Sequence, residues 1–408
     1  MTRTVVVVGA SIGGVSTAQA LRREGWQDRI VLVGAEPDLP YDKPPLSKQV
    51  LAGSWPCEQA RLLDDAGARE AGLELWLGRP AVRLDVAERQ VLLEGGDRLA
   101  YDAVVLATGA RARPSPWRPA SGVHVLRTLA DALALREALA TPGHVVVVGG
   151  GFIGGEVAAT ARSLGQDVTV VDPLPVPMGR VLGPEVGQLF TDLHRRHGVR
   201  TCFGVGVERV TGRQRDLQVE LTDGTVLSAT TVVVGIGARP DDGWLADSGL
   251  LVDDGVVCDA SGRAQGARDV YAVGDLSRWH HPRVGAPVRF EHWTNAVEQA
   301  ACVAHALLHP EQARIHHPGG YVWTDQHDWR AQVIGVPSEG STHVLLGEPT
   351  GAPMRFGVVY GDGPRLCGAL FVNWPKGPGL SRRLLSAGEA FPVAVERLGA
   401  ALPGRPAG

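Results

Sequence analysis

Residues Val5 to Gly14 read VVVVGASIGG, and residues Val145 to Gly154 read VVVVGGGFIG. Each stretch is a run of four valines that opens onto a glycine-rich turn. A continuous β-branched run is typical of a parallel strand that is buried on both faces. The repeat therefore predicts two copies of one supersecondary unit, each beginning with a buried strand and a tight turn.

Each turn is followed by a helical stretch and a second strand. In the first copy the helix is VSTAQALRREGW, where Gly25 suits the helix end, and the strand is RIVLVG. In the second copy the helix EVAATARSLG ends at Gly165 and the strand is DVTVVD. Glu36 lies just past the first of these strands, and Asp172 closes the second. The pattern predicts two βαβ units, which build Rossmann-like dinucleotide-binding domains.

The overall composition indicates a globular protein without a membrane span. The chain has 408 residues, 44% of them hydrophobic, with a formal net charge of -4 and a mean hydropathy of zero. This length predicts two or three domains. The small negative charge argues against general nucleic-acid binding, and no apolar run reaches the ~20 residues that span a bilayer. The first residues enter a strand at once, so we expect no signal peptide.

The five cysteines are far apart: Cys57, Cys202, Cys258, Cys302 and Cys367. They form no CxxC pair, which is typical of a reduced protein without a disulfide framework and predicts a cytoplasmic location. The histidines include two adjacent pairs, His280–His281 and His316–His317. Because adjacent side chains on irregular backbone rarely converge on one ion, we expect no metal site.

The last part of the chain has a different pattern. From Tyr321 onward, segments such as RAQVIG, THVLLG and LCGALFVNW alternate apolar and polar residues, and Asp362-Gly363 marks a hairpin. The fold class predicted is α/β, with two Rossmann-like dinucleotide-binding domains and a C-terminal α+β domain. The predicted domain segments are 1–113, 114–243, 244–318 and 319–408.

The glycine turns resemble the GxGxxG turn that binds a pyrophosphate. Its three positions are occupied by Gly149, Gly151 and Gly154 in the second copy, and by Gly9, Ser11 and Gly14 in the first. The first glycine makes the bend, the second admits the phosphates, and the third lets helix and strand pack closely. The Cβ of Ser11 points towards the phosphates, so either the ligand sits further out or the hydroxyl joins the contact. A tight turn without a ligand is the alternative, but the strands, helix and acid of each copy favour a dinucleotide.

Two acids complete the predicted nucleotide sites. Glu36 and Asp172 stand where a carboxylate accepts hydrogen bonds from a ribose. A carboxylate at Asp172 also repels a 2′-phosphate, which favours NAD over NADP. Arg180 is near in sequence and could instead bind that phosphate, so NADP stays the alternative.

Three features together resemble the two-dinucleotide-domain flavoprotein reductases, whose fold is glutathione-reductase-like. They are the paired nucleotide domains, an ATG strand end at Thr108-Gly109 and a late AVGD segment containing Gly274 and Asp275. The resemblance implies FAD at the first turn and NADH at the second, with Asp275 contacting the flavin-side ribityl and phosphate. It also implies that segments 1–113 and 244–318 bind FAD, that 114–243 binds NAD and that 319–408 is an interface domain.

The segment YDKPPLSK, Tyr41 to Lys48, indicates which branch of these flavoprotein reductases the chain resembles. It resembles YDRPPLSK of the NADH-dependent ferredoxin reductases that serve cytochrome P450 and aromatic-ring dioxygenase systems. The segments GFIGGEVA, VGIGARPD, EHWTNAVEQA and WTDQ agree with that family, and the departures are Ser11, Lys43 and Gly155. Disulfide reductases carry a redox cysteine pair near this segment, whereas here the nearest cysteine is the unpaired Cys57.

The resemblance also implies roles for single residues. Lys48 and Glu156 form an ion pair beside flavin N5, where the lysine favours the anionic reduced flavin. Phe152 covers the nicotinamide pocket, with a core position at the helix start as the alternative. The other implied cofactor-binding residues are Lys43, Arg127, Ile153, Gly237, Glu291, Trp293 and Trp323. A surface position is the alternative for Lys48 and Arg127, and a buried aromatic core is the alternative for both tryptophans.

The function implied is that of an FAD-dependent NADH:ferredoxin reductase. Hydride moves from the nicotinamide to flavin N5, and a [2Fe–2S] ferredoxin then carries single electrons to a cytochrome P450 or ring-hydroxylating dioxygenase. Arg330, Arg382 and Arg383 are candidates for binding an acidic ferredoxin, although exposed arginines are usually just solvated. We expect a monomer or weak homodimer that binds neither nucleic acid nor membrane. Two alternatives stay open: a reductase of rubredoxin, a quinone-like molecule or oxygen, and an NADH-sensing flavin-binding interaction protein.

Overall fold

A computed structural model describes residues 2–119, 121–281, 285–316, 318–338, 340–350 and 354–402. The chain divides into two units, each built from three separate stretches. The first unit comprises Met1–Lys43, Cys57–Arg111 and Ala238–Pro318. The second unit comprises Pro44–Pro56, Ala112–Gly237 and Gly319–Gly408.

The secondary structure consists of strands and α-helices, with runs of consecutive strands between residues 73 and 124 and between residues 200 and 288. The strands are β1 (Thr4–Val8), β2 (Arg29–Val33), β3 (Leu73–Trp76), β4 (Ala81–Asp85), β5 (Gln90–Leu93), β6 (Arg98–Ala100), β7 (Ala103–Leu106), β8 (Ala110–Ala112), β9 (Val123–His124), β10 (His144–Val148), β11 (Asp167–Asp172), β12 (Arg200–Phe203), β13 (Val207–Arg213), β14 (Asp216–Leu221), β15 (Val226–Ala229), β16 (Thr231–Val234), β17 (Ala238–Pro240), β18 (Val256–Cys258), β19 (Val270–Ala272), β20 (Ser277–His281), β21 (Ala286–Val288), β22 (Tyr321–Gln326), β23 (Trp329–Gly335), β24 (Thr342–Glu348), β25 (Arg355–Asp362) and β26 (Arg365–Val372). The helices are α1 (Ile12–Arg23), α2 (Asp65–Glu70), α3 (Leu129–Ala138), α4 (Phe152–Ser163), α5 (Gly179–Leu182), α6 (Pro184–Arg196), α7 (Trp293–Leu308), α8 (Gly377–Ser386) and α9 (Phe391–Ala401).

The central sheet of the first unit is parallel and contains the first valine run. Its strand order is β19-β7-β1-β2-β3. Val6 is paired with Val31 on one side and with Val104 on the other, and all three are fully buried. The sheet is therefore apolar on both faces, which is why the run is continuous rather than alternating. The predicted first βαβ unit is confirmed.

The second unit contains the matching sheet. Its order is β12-β11-β10-β16-β9, and all its strands are parallel. Val146 is paired with Thr169 and Val232, in the same relation that Val6 has to its neighbours. A small antiparallel sheet accompanies each central sheet, β4-β5-β6 in the first unit and β13-β14-β15 in the second.

The C-terminal part of the second unit is an antiparallel sheet with the order β22-β23-β26-β25-β24. Gly363, at φ +55°, turns the predicted hairpin between β25 and β26. One face of the sheet shares a core with α6, where Trp329 packs edge-to-face on Phe190 at 5.3 Å between ring centroids. The other face packs against α8 and α9. The predicted fold class is confirmed. None of the described helices has the length and apolar character needed to cross a bilayer.

Candidate functional site

The second glycine turn leaves no room for side chains at its first and third positions. Gly149 has φ +111°, and a Cβ on it would lie 2.2 Å from the carbonyl oxygen of Gly235. A Cβ on Gly154 would lie 1.9 Å from the carbonyl oxygen of Gly149. Both positions require glycine because the helix start packs directly on the turn and on the neighbouring strand.

The first turn has the same close packing. Gly9 has φ +117°, and its Cβ would lie 2.1 Å from the carbonyl oxygen of Ala107. A Cβ on Gly14 would lie 1.8 Å from the carbonyl oxygen of Gly9. The two turns therefore share one geometry, as the sequence repeat predicts.

The middle position of the second turn differs from the other two because it faces open space. A Cβ on Gly151 would meet no heavy atom within 4 Å. Gly151 and Ser11 are the N-caps of α4 and α1, and neither helix start has a side-chain cap. Ser11 Oγ makes only a long contact, 3.4 Å, with the Tyr41 carbonyl oxygen. Uncapped N–H groups beside open space fit the phosphates of a dinucleotide.

Asp172 holds the second turn in place. Its carboxylate accepts hydrogen bonds from the backbone N–H of Gly150 at 2.7 Å and of Leu174 at 2.8 Å. The acid thus stands at the end of β11 beside the glycine turn, where a ribose-binding carboxylate is expected.

Glu36 has different partners in the first unit. The Tyr41 hydroxyl donates to Glu36 Oε2 at 2.5 Å, and Lys43 Nζ lies 3.6 Å from Glu36 Oε1. Tyr41 and Lys43 both belong to YDKPPLSK, so the first half of that segment is held by the predicted ribose-binding acid.

The second half of YDKPPLSK, from Pro44 to Lys48, belongs to the second unit. It contains Lys48, which forms an ion pair with Glu156. Lys48 Nζ lies 2.7 Å from Glu156 Oε2, with 11% and 3% of the two side chains exposed. Lys48 Nζ also donates to the Pro44 carbonyl oxygen at 3.0 Å. The 3₁₀ turn Pro44–Ser47 presents the lysine, and Leu51 anchors the segment in the core around Leu135 and α4. The predicted ion pair is therefore present and mostly buried.

Two hydroxyl groups that the sequence analysis did not identify also hold Glu156. Ser47 Oγ donates to Glu156 Oε2 at 2.5 Å, and Thr324 Oγ1 donates to Glu156 Oε1 at 2.9 Å. The carboxylate thus accepts from one ammonium and two hydroxyls in a buried environment. Ser47 lies within PPLSK and Thr324 within WTDQ, two segments that agree with the family. This position inside a motif is the signal by which the sequence could have indicated them.

The glycine at position 155 departs from the family pattern, and the Gln326 side chain occupies the space that a larger residue there would need. A Cβ on Gly155 would lie 2.5 Å from Gln326 Oε1. The Gln326 amide in turn donates to Thr324 Oγ1 at 3.1 Å. The small residue on α4 thereby lets Gln326 support the hydroxyl that holds Glu156.

The predicted cofactor residues are divided between the two units. The first unit contains Gly9, Ser11, Gly14, Glu36, Lys43, Thr108, Gly109, Gly274, Asp275, Glu291 and Trp293. The second unit contains Lys48, Arg127, Gly149, Gly151, Phe152, Ile153, Gly154, Glu156, Asp172, Gly237 and Trp323.

Several of the first-unit residues are fixed by side-chain hydrogen bonds. Thr108 Oγ1 donates to the Asp241 carbonyl oxygen at 2.9 Å. Gly274, at φ +70°, donates its N–H to Gln299 Oε1 at 2.8 Å. Trp293 Nε1 donates to Asp42 Oδ1 at 2.8 Å. These bonds hold the ATG, AVGD and EHWTN segments, on which the resemblance rests, in defined positions.

Glu291 and His292 lie at an open cavity of about 390 Å³ in the first unit. Glu291 is paired with Arg289, which also binds Asp254 at 3.0 Å. His292 Nδ1 is buried and has no hydrogen-bond partner in the described structure. Burial lowers the pKa of His292, against a smaller opposite effect of Asp275, so the ring is neutral at pH 7. An orphaned buried nitrogen fits a polar ligand atom in this unit, and the sequence analysis did not identify it.

The remaining second-unit residues vary in exposure. Phe152 packs partly against the core that contains Trp329, whereas the next residue, Ile153, is 48% exposed. The Arg127 backbone N–H donates to Asp131 at 3.0 Å near the start of α3. Trp323 stacks on Tyr321 at 5.9 Å between ring centroids.

The five cysteines form no disulfide with one another. All five cysteines lie in the described part of the chain, and all five are free. His316 Nε2 lies 2.9 Å from Asn295 Oδ1, and His317 lies outside the described residues.

Comparisons with known proteins match this chain along nearly its whole length. Residues 3–300 match the family model described as pyridine nucleotide-disulphide oxidoreductase, and residues 321–398 match the model described as reductase C-terminal. Members of the first family bind FAD and a pyridine nucleotide, and the two turns of this chain fit both ligands.

Curated relatives match at similar coverage. Rhodocoxin reductase of Rhodococcus erythropolis is 35% identical, over 94% of this chain and 89% of that protein. The ferredoxin–NAD(+) reductase component of the anthranilate 1,2-dioxygenase system of Burkholderia cepacia is 38% identical, over 94% of each chain.

Solved structures agree with these relatives. The reductase in the covalent putidaredoxin reductase–putidaredoxin complex superposes with a TM-score of 0.89 at 33% identity, over 99% of both chains. The ferredoxin reductase for the CYP199A2 system of Rhodopseudomonas palustris superposes with a TM-score of 0.90 at 32% identity, over 95% of both chains. The resemblance drawn from YDKPPLSK is thereby confirmed: the chain belongs to the pyridine nucleotide-disulphide oxidoreductase family and also carries the reductase C-terminal domain.

Proposed function

We propose that this chain is an FAD-dependent NADH:ferredoxin reductase that supplies electrons to a cytochrome P450 or a ring-hydroxylating dioxygenase. The full-length similarity to reductases named for those systems supports the proposal. The single structural observation that carries it is the buried Lys48–Glu156 pair, whose lysine lies in the segment near which disulfide reductases have a cysteine pair. The cysteines are all free, so a disulfide relay has no carrier here, and the relatives named for ferredoxin systems support a one-electron protein acceptor.

The chain's own residues bind and orient the two cofactors. The N–H groups at the start of α1 bind the phosphates of FAD, and those at the start of α4 bind the pyrophosphate of the nicotinamide dinucleotide. The backbone at Gly109 and Gly274 and the side chains of Asp275 and Trp293 hold FAD in the first unit. When bound, the flavin takes two electrons as hydride from the nicotinamide and releases them one at a time.

The role of Lys48 follows from its charge and its partners. Its ammonium supplies positive charge that favours the anionic form of a reduced flavin, as the family resemblance implies. Glu156 keeps that ammonium in place, and the hydroxyls of Ser47 and Thr324 keep Glu156 in place. No acid–base residue is needed for hydride transfer, so the pair acts by position and charge.

We propose NADH as the preferred reductant because of Asp172. Its two oxygens are held by the N–H groups of Gly150 and Leu174, so the carboxylate cannot easily turn away from an incoming 2′-phosphate. Arg180, the alternative phosphate ligand, is exposed near this strand end. Steady-state kinetics of the Asp172→Asn variant test the assignment: the ratio of kcat/KM for NADH to that for NADPH should fall about tenfold. An unchanged ratio would show that a group other than Asp172 distinguishes the 2′-hydroxyl of NADH from the 2′-phosphate of NADPH.

Three arginines of the second unit are candidates for binding an acidic ferredoxin. Arg382 lies over the Tyr321 ring at 4.6 Å, Arg330 lies 3.6 Å from Asp325, and Arg383 is exposed next to Arg382 on α8. Positive charge at such positions increases the rate of association with an acidic partner. Salt screens this attraction, so the rate should fall as the ionic strength rises.

The decisive experiment is NADH-driven reduction of cytochrome c by the FAD-loaded protein, with and without a [2Fe–2S] ferredoxin. Activity should depend on the ferredoxin. Fast NADH consumption in air or with a quinone, unaffected by ferredoxin, would instead support the small-molecule or oxygen reductase. Slow NADH oxidation with every acceptor would support the NADH-sensing interaction protein. The cytoplasmic location, the monomer or weak homodimer and the bounds of the four domain segments stay predictions.

A further inference from the structure

Three potential metal ligands meet where two helices of the first unit end. Glu24 is the C-cap of α1, His305 lies in the last turn of α7, and His309 is the C-cap of α7. His305 Nδ1 lies 3.1 Å from Glu24 Oε2, and His309 Nε2 lies 4.0 Å from the same oxygen. We name Glu24, His305 and His309 the Glu24 cluster. Both helix C-termini direct partial negative charge towards it, which favours a cation there.

Both ring nitrogens of His305 face hydrogen-bond acceptors. Its Nε2 lies 3.1 Å from the Gln312 carbonyl oxygen, while its Nδ1 faces the Glu24 carboxylate. Both partners are acceptors, but a neutral imidazole has one N–H. If Nε2–H donates to Gln312, the Nδ1 lone pair faces a carboxylate unless a second proton or a metal ion lies between them. A histidine that binds a metal through one nitrogen commonly donates the other N–H to a backbone carbonyl.

We propose that the Glu24 cluster binds a divalent transition metal ion of the Zn²⁺ class. The ligand atoms are His305 Nδ1, His309 Nε2 and Glu24 Oε2, with water completing a tetrahedron. Two imidazoles and one carboxylate suit Zn²⁺, Co²⁺ or Ni²⁺, whereas Mg²⁺ and Ca²⁺ prefer oxygen ligands.

The distances between ligand atoms permit such a site after a small adjustment. The three atoms lie within 4.8 Å of one another, and ligands bound at about 2.1 Å cannot be more than about 4.2 Å apart. Only 12% of the His305 side chain is exposed, so its position is set by packing. His309 is 48% exposed and is the ligand that can rotate to close the site. A bound ion would then join the end of α1 to the end of α7.

Arg314 moderates the expected affinity. Its Nη1 lies 3.4 Å from Glu24 Oε1, the oxygen that does not face the histidines, and its side chain is 58% exposed. The arginine charge repels a bound dication, and removing it should tighten binding. If the Glu24 cluster were only a set of ion pairs, the loss of Arg314 would not increase the affinity for metal.

The test uses the FAD-loaded full-length protein after removal of metal by chelation. Zn²⁺ binding is measured by calorimetry, and Co²⁺ binding by absorption at wavelengths beyond the flavin bands. The expected result is one ion per chain and a higher Tm with Zn²⁺. His309→Ala should weaken binding at least tenfold, and Arg314→Gln should strengthen it severalfold, because the first loses a ligand and the second loses a repelling charge. His343→Ala, which changes a histidine on β24 of the other unit, is the matched control and should bind as the unmodified protein does.

Absence of binding at millimolar Zn²⁺ would overturn the proposal. So would equal affinity in the His309→Ala variant, which would place the ion elsewhere, or unchanged affinity in the Arg314→Gln variant. The exposed position of His309 makes its substitution safe for folding, and the Tm without metal checks this directly.

Discussion

Lys48 Nζ and Glu156 Oε2 are 2.7 Å apart although 108 residues separate them in the chain. The pair is nearly buried, and Ser47 and Thr324 supply two further hydrogen bonds to the carboxylate. A buried ion pair adds little to stability overall, but breaking one by removing a single partner is costly. The arrangement therefore fits a functional role for the lysine better than a purely structural one.

Loss of the Lys48 charge should slow reduction of bound flavin by NADH. We expect Lys48→Met to lower the stopped-flow rate about 10²-fold, comparable to the loss of one electrostatic donor at a reacting centre. It should also destabilise the protein by about 3–5 kcal/mol, since the Glu156 charge loses its partner.

The double variant Lys48→Met/Glu156→Gln separates the two effects. It removes the stranded charge, so thermal stability should largely recover while the rate stays low. Recovery of the rate together with stability would mean that Lys48 only supports the fold.

The hydroxyl of Thr324 should matter for the position of Glu156. Thr324→Val keeps the side-chain volume but removes the O–H that donates to Glu156 Oε1 at 2.9 Å. The change leaves Glu156 Oε1 with a long contact, 3.4 Å, from the Asp325 N–H, and it removes the acceptor of the Gln326 amide. An unsatisfied buried polar group costs about 1–3 kcal/mol. Chemical denaturation should show this loss, and flavin reduction should slow severalfold. Thr324→Ser, which restores the hydroxyl, should behave nearly like the unmodified protein; equal defects in the two variants would assign the effect to packing.

Gly149 and Gly151 should respond differently to alanine. At Gly149, φ is +111° and the added Cβ would lie 2.2 Å from a carbonyl oxygen, so Gly149→Ala should lower the Tm by several degrees or prevent folding. At Gly151 the added methyl meets no protein atom within 4 Å. Gly151→Ala should therefore leave the Tm unchanged and raise the KM for NADH about tenfold, with kcat little affected. An unchanged KM would mean that the dinucleotide does not bind at this turn.

Stability should fall in mild acid because of a histidine cluster between α6 and the β22–β23 turn. His194 Nδ1 lies 3.1 Å from His327 Nε2, and the His197 ring stacks on the His327 ring at 4.3 Å. Burial lowers the pKa of His194 to about 4, and burial together with the neighbouring histidines lowers that of His327 to about 3. Both rings are neutral in the folded protein above these values, whereas the unfolded chain takes up protons below about pH 6.5.

The stabilising contribution of these neutral rings is therefore complete above about pH 6.5 and is lost as the pH falls towards 4. The Tm measured from pH 7.5 to 4.5 should decrease over that window. His327→Asn keeps a residue that tolerates the left-handed φ of +54° and should flatten the decrease, unlike the control His343→Gln. Identical slopes in all three proteins would exclude the cluster as the cause.

Local patterns predicted the fold well. The valine runs, the Gly9 and Gly149 turns and the hairpin at Gly363 each depend on residues close in sequence, where strand burial and positive φ leave a direct signature. The resemblance of YDKPPLSK to a known motif supplied the pairing of Lys48 with Glu156, which no periodicity in the chain indicates.

Contacts between distant segments account for what the sequence analysis missed. Thr324 reaches Glu156 across 168 residues, and His305 reaches Glu24 across 281. The HALLH spacing of His305 and His309 could have indicated two metal ligands on one helix face, but nothing in the sequence indicates the third. Such sites exist only after the chain has folded, because the partner residue is selected by packing.

The unpaired cysteines determine how the protein tolerates oxidants. Burial raises the pKa of the Cys202, Cys258, Cys302 and Cys367 thiols, so little of the nucleophilic thiolate is present at neutral pH. A reductase whose active group were a dithiol would be poisoned by peroxide or by arsenicals that bridge two sulfurs. The five cysteines of this chain are all free, so the same stress meets no disulfide or paired thiols among the described residues.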